Sequence, residues 1–211
     1  MKHILVIVLA IFCINIFGAA EIIEGYKKKD FLPAKNIDHI IKGKNKIGPI
    51  SSKTSEEKLK EIFGKNNVFD SNIQLTNESK ESSKVVIGKE DQLDVIWKTS
   101  NHKIPWKVIF HKNKNWFTEE GIRVGVSIAE LEKINGASFS LVVDSKNYTI
   151  SSDSWGQGEI CENISLFFTF EDGYSLDAQS LFNHDQEILS NSKIIDADAL
   201  VVETIIIKFE E

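Results

Sequence analysis

One short pattern occurs twice in this chain, 72 positions apart, and it constrains the fold more than any other feature. Ser55, Leu59, Ile62 and Gly64 align without gaps on Ser127, Leu131, Ile134 and Gly136. These are the residues of a short helix: a hydroxyl to cap it, two apolar contacts on one face, and a glycine to stop it. Glu56 and Glu57 fall in the first turn of the first copy, where the helix dipole favours acid. A helix of ~10 residues is marginal on its own, so each copy must dock on something larger.

That larger element reads as sheet. Residues 36–41 are a candidate first strand, turned by Gly43 to Asn45. Val68 to Leu75 reads as a strand and the polar run 76–83 as a loop. Residues 84–87 and 93–97 read as a hairpin around a loop over 88–92, with Leu93, Val95 and Trp97 on one face. Pro105 to Phe110 is a further strand, which Trp116 and Phe117 join or cover. After the second helix come strands over 138–143, 148–151 and 164–170, an irregular stretch over 175–198, and a closing strand over 200–209. Leu166, Phe168 and Phe170 occupy places like those of Leu93, Val95 and Trp97, 73 residues earlier.

Helices and strands are segregated within each half, which predicts an α+β fold with antiparallel sheet. The expected architecture is two tandem repeats, each a short helix plus three or four antiparallel strands, sharing one sheet because neither half can bury its own. The chain divides into an export signal over 1–20, an N-terminal extension with a candidate first strand over 21–46, a first repeat over 47–120 and a second over 121–211.

The first twenty residues carry the marks of export. Lys2 and His3 precede an apolar run from Ile4 to Phe17, broken only by Asn15, and Gly18 and Ala20 supply small residues for cleavage after Ala20. Cleavage would leave residues 21–211 with no apolar stretch near the ~20 residues of a membrane span. Arg123 is the sole arginine among 25 basic residues, a usage typical of A/T-rich bacterial genomes, so the expected location is periplasmic or secreted. The formal charge of −6 disfavours nucleic acid as a partner. Cys13 would leave with the signal, and Cys161 alone can form neither an internal disulfide nor a cysteine metal site.

The two patterns, each led in by glycine (Gly48 and Gly125) and followed by strands, resemble the repeat of the β-lactamase-inhibitor-protein-like fold, a unit that occurs singly in small outer-membrane assembly lipoproteins. Most of residues 37–209 also resembles a group of uncharacterised exported bacterial proteins, through Ile47 to Ile50, Leu59 to Gly64, Trp116, Gly121 to Gly136 and Val201 to Phe209. The resemblance implies a duplicated, exported protein and assigns no functional residue. The chain departs from the lipoproteins in having Ile11 and Phe12 rather than small residues directly before Cys13, and from a strict repeat in five extra residues between Gly48 and Ser55.

The sequence offers little chemistry. No two histidines lie at helical zinc spacing, and the run from Asp172 to Asp177 lacks the alternation of a calcium loop, so no metal site is assigned. There is no nucleophile elbow and no phosphate cradle, so no catalytic residue and no cofactor are assigned. Trp106, Trp116 and Trp155 lie near loops among lysines and amides, and are the candidate ligand or partner contacts. The leading functional reading is a non-enzymatic module that binds an envelope protein. The alternatives are a small-ligand or glycan binder using those tryptophans, and a hydrolase with an unrecognised site.

Overall fold

Both helices form where the repeated pattern places them. The computed structural model describes residues 37–75, 78–88, 91–171 and 180–210; the export segment and the run from Asp172 to Asp177 lie outside these. Helix α1 spans Glu56–Phe63 and helix α2 spans Ile128–Asn135. Ser55 Oγ accepts from Lys58 N at 3.3 Å, and Ser127 Oγ accepts from Glu130 N at 3.2 Å. In α2 the Glu130 carboxylate also accepts from Ser127 N, completing a capping box. Leu59 and Leu131 are fully buried, and Ile62 and Ile134 pack half-buried against the same core. Gly64 and Gly136 end the helices at φ of 94° and 71°, where a side chain would be strained.

The strands follow in two runs. Strands β1 (Ile40–Lys42), β2 (Lys46–Ile47), β3 (Ile50–Ser51) and β8 (Phe117–Thr118) form a small sheet in the order β3-β2-β1-β8, with β1 and β8 parallel. The large sheet comprises β4 (Val68–Leu75), β5 (Glu78–Gly88), β6 (Asp91–Trp97), β7 (Pro105–His111), β9 (Ser140–Asp144), β10 (Thr149–Ser152), β11 (Ile164–Phe170), β12 (Gln186–Leu189) and β13 (Leu200–Lys208). Its order is β12-β9-β10-β11-β13-β7-β6-β5-β4, antiparallel throughout. The fold is therefore α+β and mostly sheet. After α1, strands β4 to β7 make a meander that ends at the sheet centre. After α2, strands β9 to β11 make a second meander, and β13 ends beside β7.

One main core lies over one face of the large sheet. It gathers Leu93, Val95, Val108, Phe110, Leu166 and Ile205 from the strands, Leu59 and Phe63 from α1, Leu131 from α2, and Ile41, Ile47 and Ile50 from the small sheet. Cys161 is a half-buried free thiol packed against this core. No helix among the described residues is long and apolar enough to cross a membrane.

Three local expectations are corrected. Of the polar run 76–83, expected as a loop, residues 78–83 start β5, and of the loop expected over 88–92, Gly88 ends β5 while Asp91 and Gln92 open β6. Weak strand propensity is overridden because β5 is paired on both sides, by β4 and by β6. Its serines are tolerated in part because Ser83 Oγ accepts the Trp97 indole N–H at 3.0 Å. The stretch 175–198, expected as irregular, contributes edge strand β12, which pairs β9 across four residues.

Candidate functional site

Directly opposed residues in an antiparallel pair share a face, so the register of the large sheet dictates what its outer face presents. One row crosses five strands: Ser71, Ser82, Ile96, Lys107 and Lys208. The next crosses six: Phe69, Lys84, Asp94, Ile109, Ile206 and Ser165. A third runs His111, Thr204, Phe167, Ser151, Val142 and Glu187. The apolar cluster on this side consists of Ile73, Ile96 and Ile109 with Trp106 and Ile206, all from the sheet's own strands. The helices and the small sheet contribute their buried apolar residues to the opposite face. Val142 and Leu189 remain 46% and 54% exposed.

Trp106 reaches this face through a register shift. Ile96 pairs Lys107 whereas Trp97 pairs Pro105, which leaves Trp106 as the unmatched residue of a bulge. A bulge re-aims a side chain that strict alternation would send inward. The indole lies half-buried on the outer face, with Lys107 Nζ at 4.4 Å and Lys80 Nζ at 5.9 Å from the ring centroid, within cation–π range. Burial, together with the repulsion from Lys208, pushes the Lys107 ammonium below its usual pKa. In the neighbouring row Lys84 Nζ meets Asp94 Oδ2 at 3.2 Å. Burial nevertheless pushes the Asp94 carboxyl up, and its Oδ1 has no hydrogen-bond partner. His111 Nδ1 lies 2.7 Å from Thr204 Oγ1, and burial pushes its imidazole pKa down.

The three tryptophans singled out from the sequence are not brought together. Trp106 is the one that meets solvent on the sheet face. Trp116 is fully buried between Phe110 and His39, and its Nε1 donates to Asp91 Oδ1 at 2.9 Å. Trp155 is 3% exposed against Phe139, and its Nε1 donates to the Ile164 carbonyl at 3.0 Å. Each of these two indoles has its ring packed and its polar handle satisfied inside the protein, the usual arrangement of a core tryptophan. Their position near loops in the sequence had suggested exposure. The sequence contained no signal for the rows around Lys107, Asp94 and Phe167, because those depend on pairings between distant strands.

Two polar clusters lie elsewhere, and both tie elements together. Asp91 accepts from Trp116 and from Asn113 Nδ2 at 3.0 Å on one oxygen, and its other oxygen lies 2.8 Å from His39 Nε2. His102, stacked on Trp97, has Glu56 Oε2 2.7 Å from Nδ1 and Glu81 Oε2 3.0 Å from Nε2. Burial disfavours the charged imidazole, but the bonds to Glu56 and Glu81 outweigh it and raise its pKa. Burial likewise opposes ionisation of Glu56, yet its bonds from Lys60 and His102 hold the carboxyl at about 2. Among the described residues no group of three or more His, Cys, Asp or Glu is disposed to hold a metal ion.

The fold and this face define an α+β, sheet-dominated protein whose large sheet has a mixed apolar and cationic outer face. Among solved structures the chain is similar to the uncharacterised protein yfeY from Escherichia coli, with a TM-score of 0.50 and 10% identity over 80% of this chain and 98% of that one. At that identity the likeness establishes the fold alone. No protein-family model and no curated protein matches the sequence.

Proposed function

We propose that this chain is an exported, non-enzymatic module of the bacterial envelope that binds another protein through the outer face of its large sheet. The observation that carries the reading is the apolar content of that face. Antiparallel sheets tolerate one solvated side, but the alternation is then apolar inward and polar outward. Here the outward positions include Trp106, Phe167, Ile206, Val142 and Leu189, with no described element packed over them. Contiguous apolar surface rimmed by charge is characteristic of a contact site. Export is supported by the leader-like composition of residues 1–20. A duplicated origin is supported by the matched caps and stops of α1 and α2, and by the two meanders that meet at β7 and β13.

A photo-crosslinking residue at Phe167 tests the surface in the exporting bacterium, with one at Lys133, exposed on α2, as control. A discrete protein adduct from position 167 alone is expected. No adduct at 167, or the same adduct from both positions, overturns the reading. N-terminal sequencing of the exported protein is expected to begin at Glu21; a retained Met1 would overturn the cleaved signal. A second reading, a small-ligand or glycan binder, is supported by the accessible indole of Trp106 and no longer draws on Trp116 or Trp155. Fluorescence quenching by cell-wall sugars would favour it.

A further inference from the structure

We infer that the corner of the outer face built from Trp106, Lys107 and Lys208 binds the carboxylates of an acidic segment of the partner protein. The inference rests on the sheet face being the contact surface. Lys107 and Lys208 stand directly opposite each other on adjacent central strands, and like charges so placed destabilise a sheet. The indole of Trp106 holds the Lys107 ammonium over its ring, and that of Lys80 farther out, so the cations are gathered rather than dispersed. Lys84, one row away, is neutralised by Asp94. Among the described residues neither Lys107 nor Lys208 has a carboxylate in ion-pair contact, although Asp153 exerts some pull on Lys107. In the same row Ser82 Oγ is buried without a hydrogen-bond partner.

An anion at this corner would relieve the repulsion between the two ammonium groups. Charge complementarity points to protein acid groups arriving here and nowhere broad, since the chain as a whole carries −6. An extended peptide repeats same-side carboxylates about 7 Å apart, a spacing two long lysine side chains can span.

The test titrates the full chain with a glutamate hexapeptide and, separately, with a galacturonate hexamer at low salt. The readout is Trp106 emission, since Trp97, Trp116 and Trp155 are at most 3% exposed. Binding of the peptide is expected, weakened about tenfold by Lys208→Gln and further by Lys107→Gln, and screened by salt. Lys208 is exposed, so its substitution leaves the core intact, and thermal unfolding checks both variants. No peptide binding, or binding unchanged by both substitutions, overturns the site. Tighter binding of the sugar acid overturns the protein occupant and assigns the site to anionic glycans. Failure of the peptide with adducts persisting at Phe167 removes this site while the face reading stands; loss of both removes both.

Discussion

Trp116 donates its indole N–H to Asp91 Oδ1 across 2.9 Å, and this bond fastens the small sheet to the large one. Trp116 leads into β8, and Asp91 opens β6. The same carboxylate meets Asn113 and His39, so one buried acid joins three segments that are distant in sequence. Gly48 completes the arrangement: a Cβ there would overlap the Asp38 carbonyl and come within 2.8 Å of the Trp116 ring.

Trp116→Phe should keep most of the ring volume but leave the buried Asp91 one donor short. Leaving such a group unsatisfied costs about 1–3 kcal/mol. A urea midpoint that falls while the slope is unchanged checks it; an unchanged midpoint would mean that water replaces the indole.

Stability should depend on pH through His102. Its folded pKa is raised above the reference 6.5, so its contribution is full below 6.5 and is lost as pH rises through the folded value. The Glu56 carboxyl is depressed from 4.5 to about 2, so its contribution is full above 4.5 and is lost as pH falls toward 2. Lys60, Glu81 and Asp70 share the cluster and shape the margins. The stability difference between the wild-type protein and His102→Gln should therefore peak between pH 4.5 and 6.5. A difference that stays flat from pH 4 to 9 by chemical unfolding would refute the ion pair.

Gly158→Ala should destabilise where Gly88→Ala does not. A Cβ at Gly158 would overlap the side chain of Asn135, which is buried and bonded to Ala137 O, Trp155 O and Ile160 N. Overpacking of this kind costs about 1–3 kcal/mol. Gly88 has open space and no strained φ, so its substitution should stay within about 0.5 kcal/mol. Paired thermal melts decide it, and equal melting temperatures would sink the prediction.

Acrylamide should quench one indole. Trp106 is half-buried on the sheet face, whereas Trp97, Trp116 and Trp155 lie within the main core. Trp106→Phe should remove most of the quenchable emission and leave a blue-shifted remainder. Persistent quenching in that variant would mean that a second indole is reached by solvent.

The helices were legible because everything that makes them lies within ten residues. Ser127, Glu130, Leu131 and Gly136 are cap, box, core contact and stop, and each interaction but the burial is internal to the segment. Strand β11 was legible for a related reason, since Leu166 and Phe168 alternate with half-buried neighbours and the strand spans Ile164–Phe170 as expected. The hairpin of 84–87 with 93–97 was legible too, but the serine-rich start of β5 was not, because those serines form a strand only when β4 and β6 hold them on both sides. The tryptophans divided the same way. Loop proximity suggested exposure for Trp116 and Trp155, but their burial depends on Asp91 and Phe110 for one, and on Phe139 and Ile164 for the other.

What the sequence by itself determined was the set of local elements: two capped helices, most of the strands and an α+β class, since capping, alternation and turn chemistry act over a few residues. The tertiary structure alone decided the candidate site. Lys107 and Lys208 become neighbours only when β7 and β13 pair in one register. A slip of one residue would turn every side chain of a strand to the other face. Trp106 reaches the surface through a bulge that exists only in that pairing. Register is set by the packing of both halves at once, and no stretch of the chain encodes it alone.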